Sequence, residues 1–192
     1  LYDKMMNVYT WNDIRRDDYD VDYQNYYTFL GVLPQRELFV STANALLKAG
    51  DKERALKVLD KCQESMPENV WPLDAIPLGF STNDYMVVNM VSGYFAAGAP
   101  EKAAELGAKL GKELLASAHF YMEYYEYAQN EFEKSCQFLY FLVDELEKGG
   151  DKKVSAELKH SLVTLLRAGA EAYDQDYGNE ADSTVAEDTS AK

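Results

Sequence analysis

Few side chains in this sequence can make or break bonds, and their spacing limits what they do. His119 and His160 lie far apart on different predicted helices. Neither has a second histidine or a cysteine at ligand spacing, so both read as surface or helix-end residues rather than metal ligands or catalytic bases. Asp18-Tyr19-Asp20-Val21-Asp22 opens with the alternating acids of a calcium loop. The glycine and the bidentate acid that such a loop needs further on are replaced by Tyr23 and Phe29, so a solvated acidic turn is expected. Glu123, Glu126, Glu131 and Glu133 can be imagined as paired carboxylates for acid–base work, but on a helix they form a solvated face. No serine sits in a nucleophile elbow and no glycine-rich loop is built to cradle phosphate. Cys62 falls on an apolar helix face and Cys136 lies amid Phe132, Phe138 and Leu139. Both read as buried free thiols, with a disulfide between them left open. No catalytic residue, cofactor or metal site is expected in this segment.

Tyrosine is the least ordinary residue here. There are 15, and Tyr121, Tyr124, Tyr125 and Tyr127 cluster in one short stretch. An apolar ring with a polar tip suits binding surfaces, stacking on sugars included. Bulky aromatics also fill the space between widely spaced helices, and both readings stand. Trp71, Phe80, Tyr94, Tyr121, Tyr124 and Tyr125 are the candidates for an exposed binding patch.

The elements that must position these residues are helical. Residues 1–33 form an irregular aromatic and acidic arm, helical near Met5, with Tyr19, Tyr23, Tyr26 and Tyr27 among Asp17, Asp18, Asp20 and Asp22. From Pro34 the apolar residues recur at helical spacing, as in Leu38, Ala43, Leu46 and Leu47. Gly50 ends that helix and Asp51 caps a second, which carries Ala55, Leu56, Val58, Leu59 and Cys62 inside, a Glu53–Lys57 pair outside, and stops at Pro67. A proline loop, 67–83, holds Trp71, Ile76, Leu78 and Phe80. Ser81, Thr82, Asn83 and Asp84 offer N-caps for a helix from about Asp84 to Ala97, with Val87, Met90, Val91 and Tyr94 inward. The next, about 100–117, carries Ala103, Leu106, Leu110 and Leu114 inside and a Glu105–Lys109 pair outside.

Residues 119–148 lack proline and glycine and read as one long helix, or as two with a break near Ala128–Glu131. Gly149-Gly150-Asp151 closes it. A last helix, about 152–173, carries Val154, Leu158, Leu162, Leu165, Leu166 and Ala170. The acidic tail, 174–192, has too little apolar surface to offset ordering and is expected to be disordered.

With 192 residues, 47% of them hydrophobic, the chain can bury a sizeable core without disulfides. Its 33 acidic and 19 basic residues give a formal charge of −14. That balance argues against nucleic acid, whose phosphates require Lys and Arg, and against an anionic lipid surface. No stretch is long and apolar enough to span a bilayer. The first residues, Leu1-Tyr2-Asp3-Lys4-Met5-Met6, do not resemble a signal peptide and read as a cut inside a longer chain or a processed end.

Three turns share a pattern. Gly50, Gly98 and Gly150 each end a helix, and a small residue follows five positions on: Ala55, Ala103 and Ser155. Helices joined by a short turn need a small side chain where they cross closely. This pattern resembles the tetratricopeptide repeat. The first copy matches with Phe39, Ala43, Leu46, Gly50, Ala55, Leu59 and Pro67. The second matches with Val87, Tyr94, Gly98, Ala103 and Leu110, but has Val91 where a small residue belongs. The third, with Leu139, Val143, Leu146, Gly150 and Ser155, is degenerate. The glycines are spaced more widely than that repeat requires, so insertions separate the copies. The resemblance implies an all-α fold of tetratricopeptide-like helical hairpins at about 34–66, 84–117 and 119–173, coiled as an α-solenoid with a right-handed superhelix, behind an irregular N-terminal arm.

The segments Arg36–Val40, Leu46–Leu56, Val58–Cys62 and Pro72-Leu73-Asp74-Ala75-Ile76-Pro77-Leu78 resemble the C-terminal soluble region of a family of bacterial multi-pass membrane proteins. The membrane half of that family is similar to protein O-mannosyltransferases. The resemblance spans roughly residues 1–173. It implies an appended, non-catalytic helical domain, on the extracytoplasmic (periplasmic) side, of a glycosyltransferase-like parent whose catalytic loops lie elsewhere. Two readings follow. In one, the domain is an interaction module for a protein or peptide, with its acidic surface favouring a basic partner. In the other, it is an accessory domain that contacts a glycan or an acceptor protein, its tyrosines stacking on sugar.

Overall fold

A computed structural model describes residues 1–11, 32–79 and 82–187. The described chain is all-helical: α1 (Tyr2–Asn7), α2 (Val32–Lys48), α3 (Lys52–Ser65), α4 (Thr82–Ala97), α5 (Pro100–Glu123), α6 (Tyr125–Gly149) and α7 (Lys152–Glu187). A single 3-10 turn, Ile76–Leu78, interrupts the proline loop. The acidic calcium-like turn at 18–22 and the tyrosines of the arm lie outside the described residues, as does Phe80.

Three glycines direct the path. Gly50, Gly98 and Gly150 adopt φ of 79°, 87° and 89°, a left-handed backbone that a side chain would strain. The turns that they close are alike. Gly50 N–H donates to Leu47 O and Asp51 N–H to Leu46 O, at 3.0 and 2.9 Å. Gly98 and Ala99 repeat this with Phe95 and Tyr94, and Gly150 and Asp151 with Glu147 and Leu146. These bonds satisfy the last carbonyls of α2, α4 and α6. On the far side, Asp51 accepts the Arg54 N–H at 3.0 Å, and Asp151 accepts the N–H groups of Lys153 and Val154. The Arg54 N–H also holds the Asp51 carboxyl below its usual range.

The resulting hairpins pair α2 with α3, α4 with α5, and α6 with α7. Between hairpins, α4 packs on α2 and α3, α6 packs on α4 and α5, and α7 packs on α5. Ala55 and Ala103 are fully buried and Ser155 nearly so. Replacing Ala55 or Ala103 by leucine is expected to overpack the core and cost about 1–3 kcal/mol, read as a lower midpoint of thermal unfolding; an unchanged midpoint would remove these residues from the helix contacts.

The third hairpin departs from the sequence reading. α5 continues past 117 to Glu123 and the chain reverses at Tyr124, so of the two readings of 119–148 the broken one is nearer, with non-helical Ala128 at its expected break and the corner itself a few residues earlier. Tyr124 (φ −118°, ψ 33°) and Ala128 (φ −130°, ψ 27°) leave helical geometry, and Ala128 N–H closes the corner on Tyr124 O at 3.0 Å. No glycine is needed because both φ values are ordinary. Antiparallel packing of α5 on α6 then relies on glycines inside α5. A Cβ on Gly107 would lie 2.9 Å from Leu146, and one on Gly111 2.7 Å from Leu158 of α7.

One further boundary and one helix face differ. α7 continues as helix to Glu187, past the disordered tail expected from 174; no proline follows position 100 to stop it. Leu166 and Ala170, expected inside, face outward, while Leu158, Leu162 and Leu165 are buried and Gly169 meets Phe132. Met5 of α1 is buried, as the arm's expected helix requires, and Trp11 covers Phe39 at 4.8 Å while its indole N–H donates to Met5 O.

Candidate binding surface

Of the six aromatic residues read as an exposed patch, four are core. Trp71 and Tyr94 are 3% and 0% exposed, and Tyr121 and Tyr125 are 8% each. Tyr94 can be buried because its hydroxyl has partners: Gln63 Nε2 donates to it at 2.5 Å and it donates to Asp60 at 3.2 Å. Burial pushes its pKa up. The Trp71 carbonyl accepts from Arg36. Tyr125 stacks edge-on against Phe132, their rings 5.5 Å apart. Only Tyr124 of the described candidates is exposed.

The proline loop is held by buried polar groups that the sequence reading did not single out. Arg36, on α2, is 2% exposed. Its guanidinium donates to Trp71 O at 2.8 Å, Pro72 O at 2.9 Å and Asn83 Oδ1 at 2.7 Å. Asn83 donates in turn to Leu73 O at 2.8 Å. Asp84 accepts the Ala75 N–H at 3.0 Å, and Glu113 on α5 accepts the N–H groups of Leu73 and Asp74, both at 2.9 Å. Asp74 accepts the Ile76 N–H and the Ser117 hydroxyl. Asn83 and Asp84, read as N-caps of α4, thus lie in its first turn and reach across to the loop. The 3-10 turn packs on α5 and α6.

These carboxyls bond the loop. Asp84 is fully buried, and its second oxygen has no donor. Burial, and then the neighbouring Asp74, push its pKa up to about 9, so it is a neutral acid at pH 7. Burial also raises Glu113. Their bonds run to loop backbone, which makes them a clamp. Cys62 and Cys136 are buried free thiols, raised by burial to about 12 and about 11, and His119 and His160 are exposed. Among the described residues no cluster of acids, histidines and cysteines is arranged to hold a metal ion.

One turn along α5 from Ser117 the surface changes character. Tyr121 lies next to Asp74, and burial raises its hydroxyl pKa. Above it stand Phe120, Tyr124 and Tyr127, which are 56%, 51% and 82% exposed. The rings of Phe120 and Tyr124 are 5.0 Å apart, and Phe120 meets Tyr121 edge-on at 5.5 Å. The reversal at Tyr124 produces this tip: it brings the end of α5 and the start of α6 to one corner. Phe120 and Tyr127 were not singled out for the patch from sequence; Tyr127 was noted only as part of the tyrosine cluster. The signal for Phe120 was its place one helical turn before Tyr124.

An open groove of about 610 Å³ lies between the α4–α5 turn and the end of α6. Its titratable groups, Glu145 and Lys148, bond each other at 2.9 Å. Among the described residues no helix is long and apolar enough to cross a membrane. Comparisons with protein families, with curated proteins and with solved structures gave no match.

Proposed function

We propose that this chain is a non-catalytic helical-repeat interaction domain, a right-handed stack of three tetratricopeptide-like hairpins that holds a protein or peptide partner at its aromatic tip. The repeat reading is supported by the shared turn at Gly50, Gly98 and Gly150 and by the buried small residues Ala55, Ala103 and Ser155. The binding reading rests on one observation above the others. Phe120, Tyr124 and Tyr127 are three large aromatics at one corner, more than half of each in water, beside the buried Tyr121 and Tyr125. Large rings left in solvent together mark an interaction site more often than a structural need. As the resemblance implies, the domain belongs to a larger membrane-anchored glycosyltransferase-like protein and serves it by recruitment. A glycan as ligand is the second reading, favoured by the tyrosine hydroxyls at the tip.

The test is capture from source cells by wild type and by a Tyr124→Ala/Tyr127→Ala variant. Both side chains are exposed, so the variant is expected to melt within about 2 °C of wild type, a surface change of roughly 0.5 kcal/mol or less. At least one protein retained by wild type should be lost from the variant. A variant that retains every partner would place binding elsewhere.

A further inference from the structure

The charges around the tip are one-sided. Several acids elsewhere are matched by lysines: Glu53 by Lys57 at 2.7 Å, Asp60 by Lys102 at 2.7 Å, Glu105 and Glu68 by Lys109 at 3.1 and 3.3 Å, Asp144 by Lys148 at 2.6 Å, and Glu147 by Lys159 at 2.8 Å. Between Lys112 and Lys134 there is no lysine or arginine, while Glu123, Glu126, Glu131 and Glu133 all fall in that interval. Glu123, Glu126 and Glu133 are exposed, and none has a cationic partner among the described residues. The aromatic faces and the unmatched carboxylates therefore share one corner of a chain whose net charge is −14.

Each half of that arrangement attracts the same chemistry. An aromatic face draws a guanidinium or ammonium group through its quadrupole, and arginine is the cation that stacks best on it. Carboxylates at the rim supply long-range attraction and accept the guanidinium hydrogen bonds. A neutral sugar would use the rings but not the charges. We propose that the tip formed by Phe120, Tyr124 and Tyr127, rimmed by Glu123 and Glu126, binds an arginine-bearing peptide segment of a partner protein. This inference rests on the interaction-domain reading above and names the chemistry of its ligand.

The experiment is a binding titration of the whole chain with three probes: an oligo-arginine peptide, a glycine–serine peptide of equal length and a neutral oligosaccharide. Wild type is expected to bind oligo-arginine and neither of the others. Binding should weaken about tenfold in Tyr124→Ala/Tyr127→Ala, the loss of one to two kilocalories that cation–π contacts supply. It should weaken by a similar factor in Glu123→Gln/Glu126→Gln, and again as salt rises to about 0.5 M. Failure to bind oligo-arginine would overturn the inference. So would affinity unchanged by the tyrosine substitutions, since attraction would then be a property of net charge alone. Saturable binding of the oligosaccharide, lost in the tyrosine variant, would also overturn it, yet would leave the tip as the binding site. Cellular capture independent of the tip would instead remove the reading on which the inference rests.

Discussion

Replacing Arg36 by alanine is expected to cost about 3–5 kcal/mol, a large share of a domain's total stability. The guanidinium is buried, and the three acceptors that it serves are Trp71 O, Pro72 O and Asn83 Oδ1. Truncation removes three charge-assisted donors at once and opens a cavity beneath the loop. A hydrogen bond to a charged group contributes about 1.5–3 kcal/mol, so even partial rehydration leaves a heavy loss. Arg36→Lys is expected to fall between, because an ammonium cannot span the fork that the three oxygens define. Denaturant unfolding gives the magnitude, and limited proteolysis gives the place: cleavage should appear first within 67–79. A loss under about 1 kcal/mol, with the loop still protected, would contradict the clamp.

The second large effect concerns pH. Asp84 has a native pKa of about 9 against an ordinary 3.8. Between those values the native state keeps a proton that the unfolded state has released. Stability therefore falls as pH rises through this window, by up to about 1.4 kcal/mol per pH unit from this group, and the dependence vanishes below 4 and above 9. Burial sets that sign, the charge of Asp74 adds to it, and the Ala75 N–H offsets only part of it. Asp84→Asn keeps the shape, keeps an acceptor for Ala75 N–H and never ionises. The variant should match wild type near pH 4 and melt higher at pH 8, with the gap widening steadily between. Parallel melting curves across that range would mean that Asp84 is already ionised in the native state.

Both effects concern residues that the sequence did not make conspicuous, and the reason is physical. Local signals were readable because they depend on a few neighbours. Gly50, Gly98 and Gly150 are turn glycines wherever they occur after an apolar helix, Asp51 is a cap by position, and Glu53–Lys57 and Glu105–Lys109 are one turn apart. The apolar periods of α3, α4 and α5 correctly put Val58, Leu59, Val87, Met90, Leu106 and Leu110 inside. Arg36 gave no such signal: an arginine on a helix is ordinarily solvated, and its acceptors lie more than thirty residues away in sequence.

The aromatic candidates failed in the opposite direction. Trp71, Tyr94, Tyr121 and Tyr125 were candidates for an exposed patch, with space filling between helices left open and Tyr94 also read as inward; the second reading is the one that holds, because burial needs only that a polar tip find a partner or stay near the edge, as Tyr94 does with Gln63 and Asp60. A break near Ala128 was one of two readings, but the reversal at Tyr124 was hidden, because it uses ordinary φ values and no breaker residue. Position 124 was right for the surface, and the corner that makes it a platform with Phe120 and Tyr127 is a product of tertiary packing.

Hydrogen exchange of the whole chain, alone and with a captured partner, tests the central claim most directly. Binding at the tip predicts slowed exchange confined to the end of α5 and the start of α6, about residues 119–128, with the clamp around 71–79 unchanged. Protection concentrated on α2 and α3, or in the groove beside Phe95 and Lys148, with 119–128 exchanging as before, would contradict it.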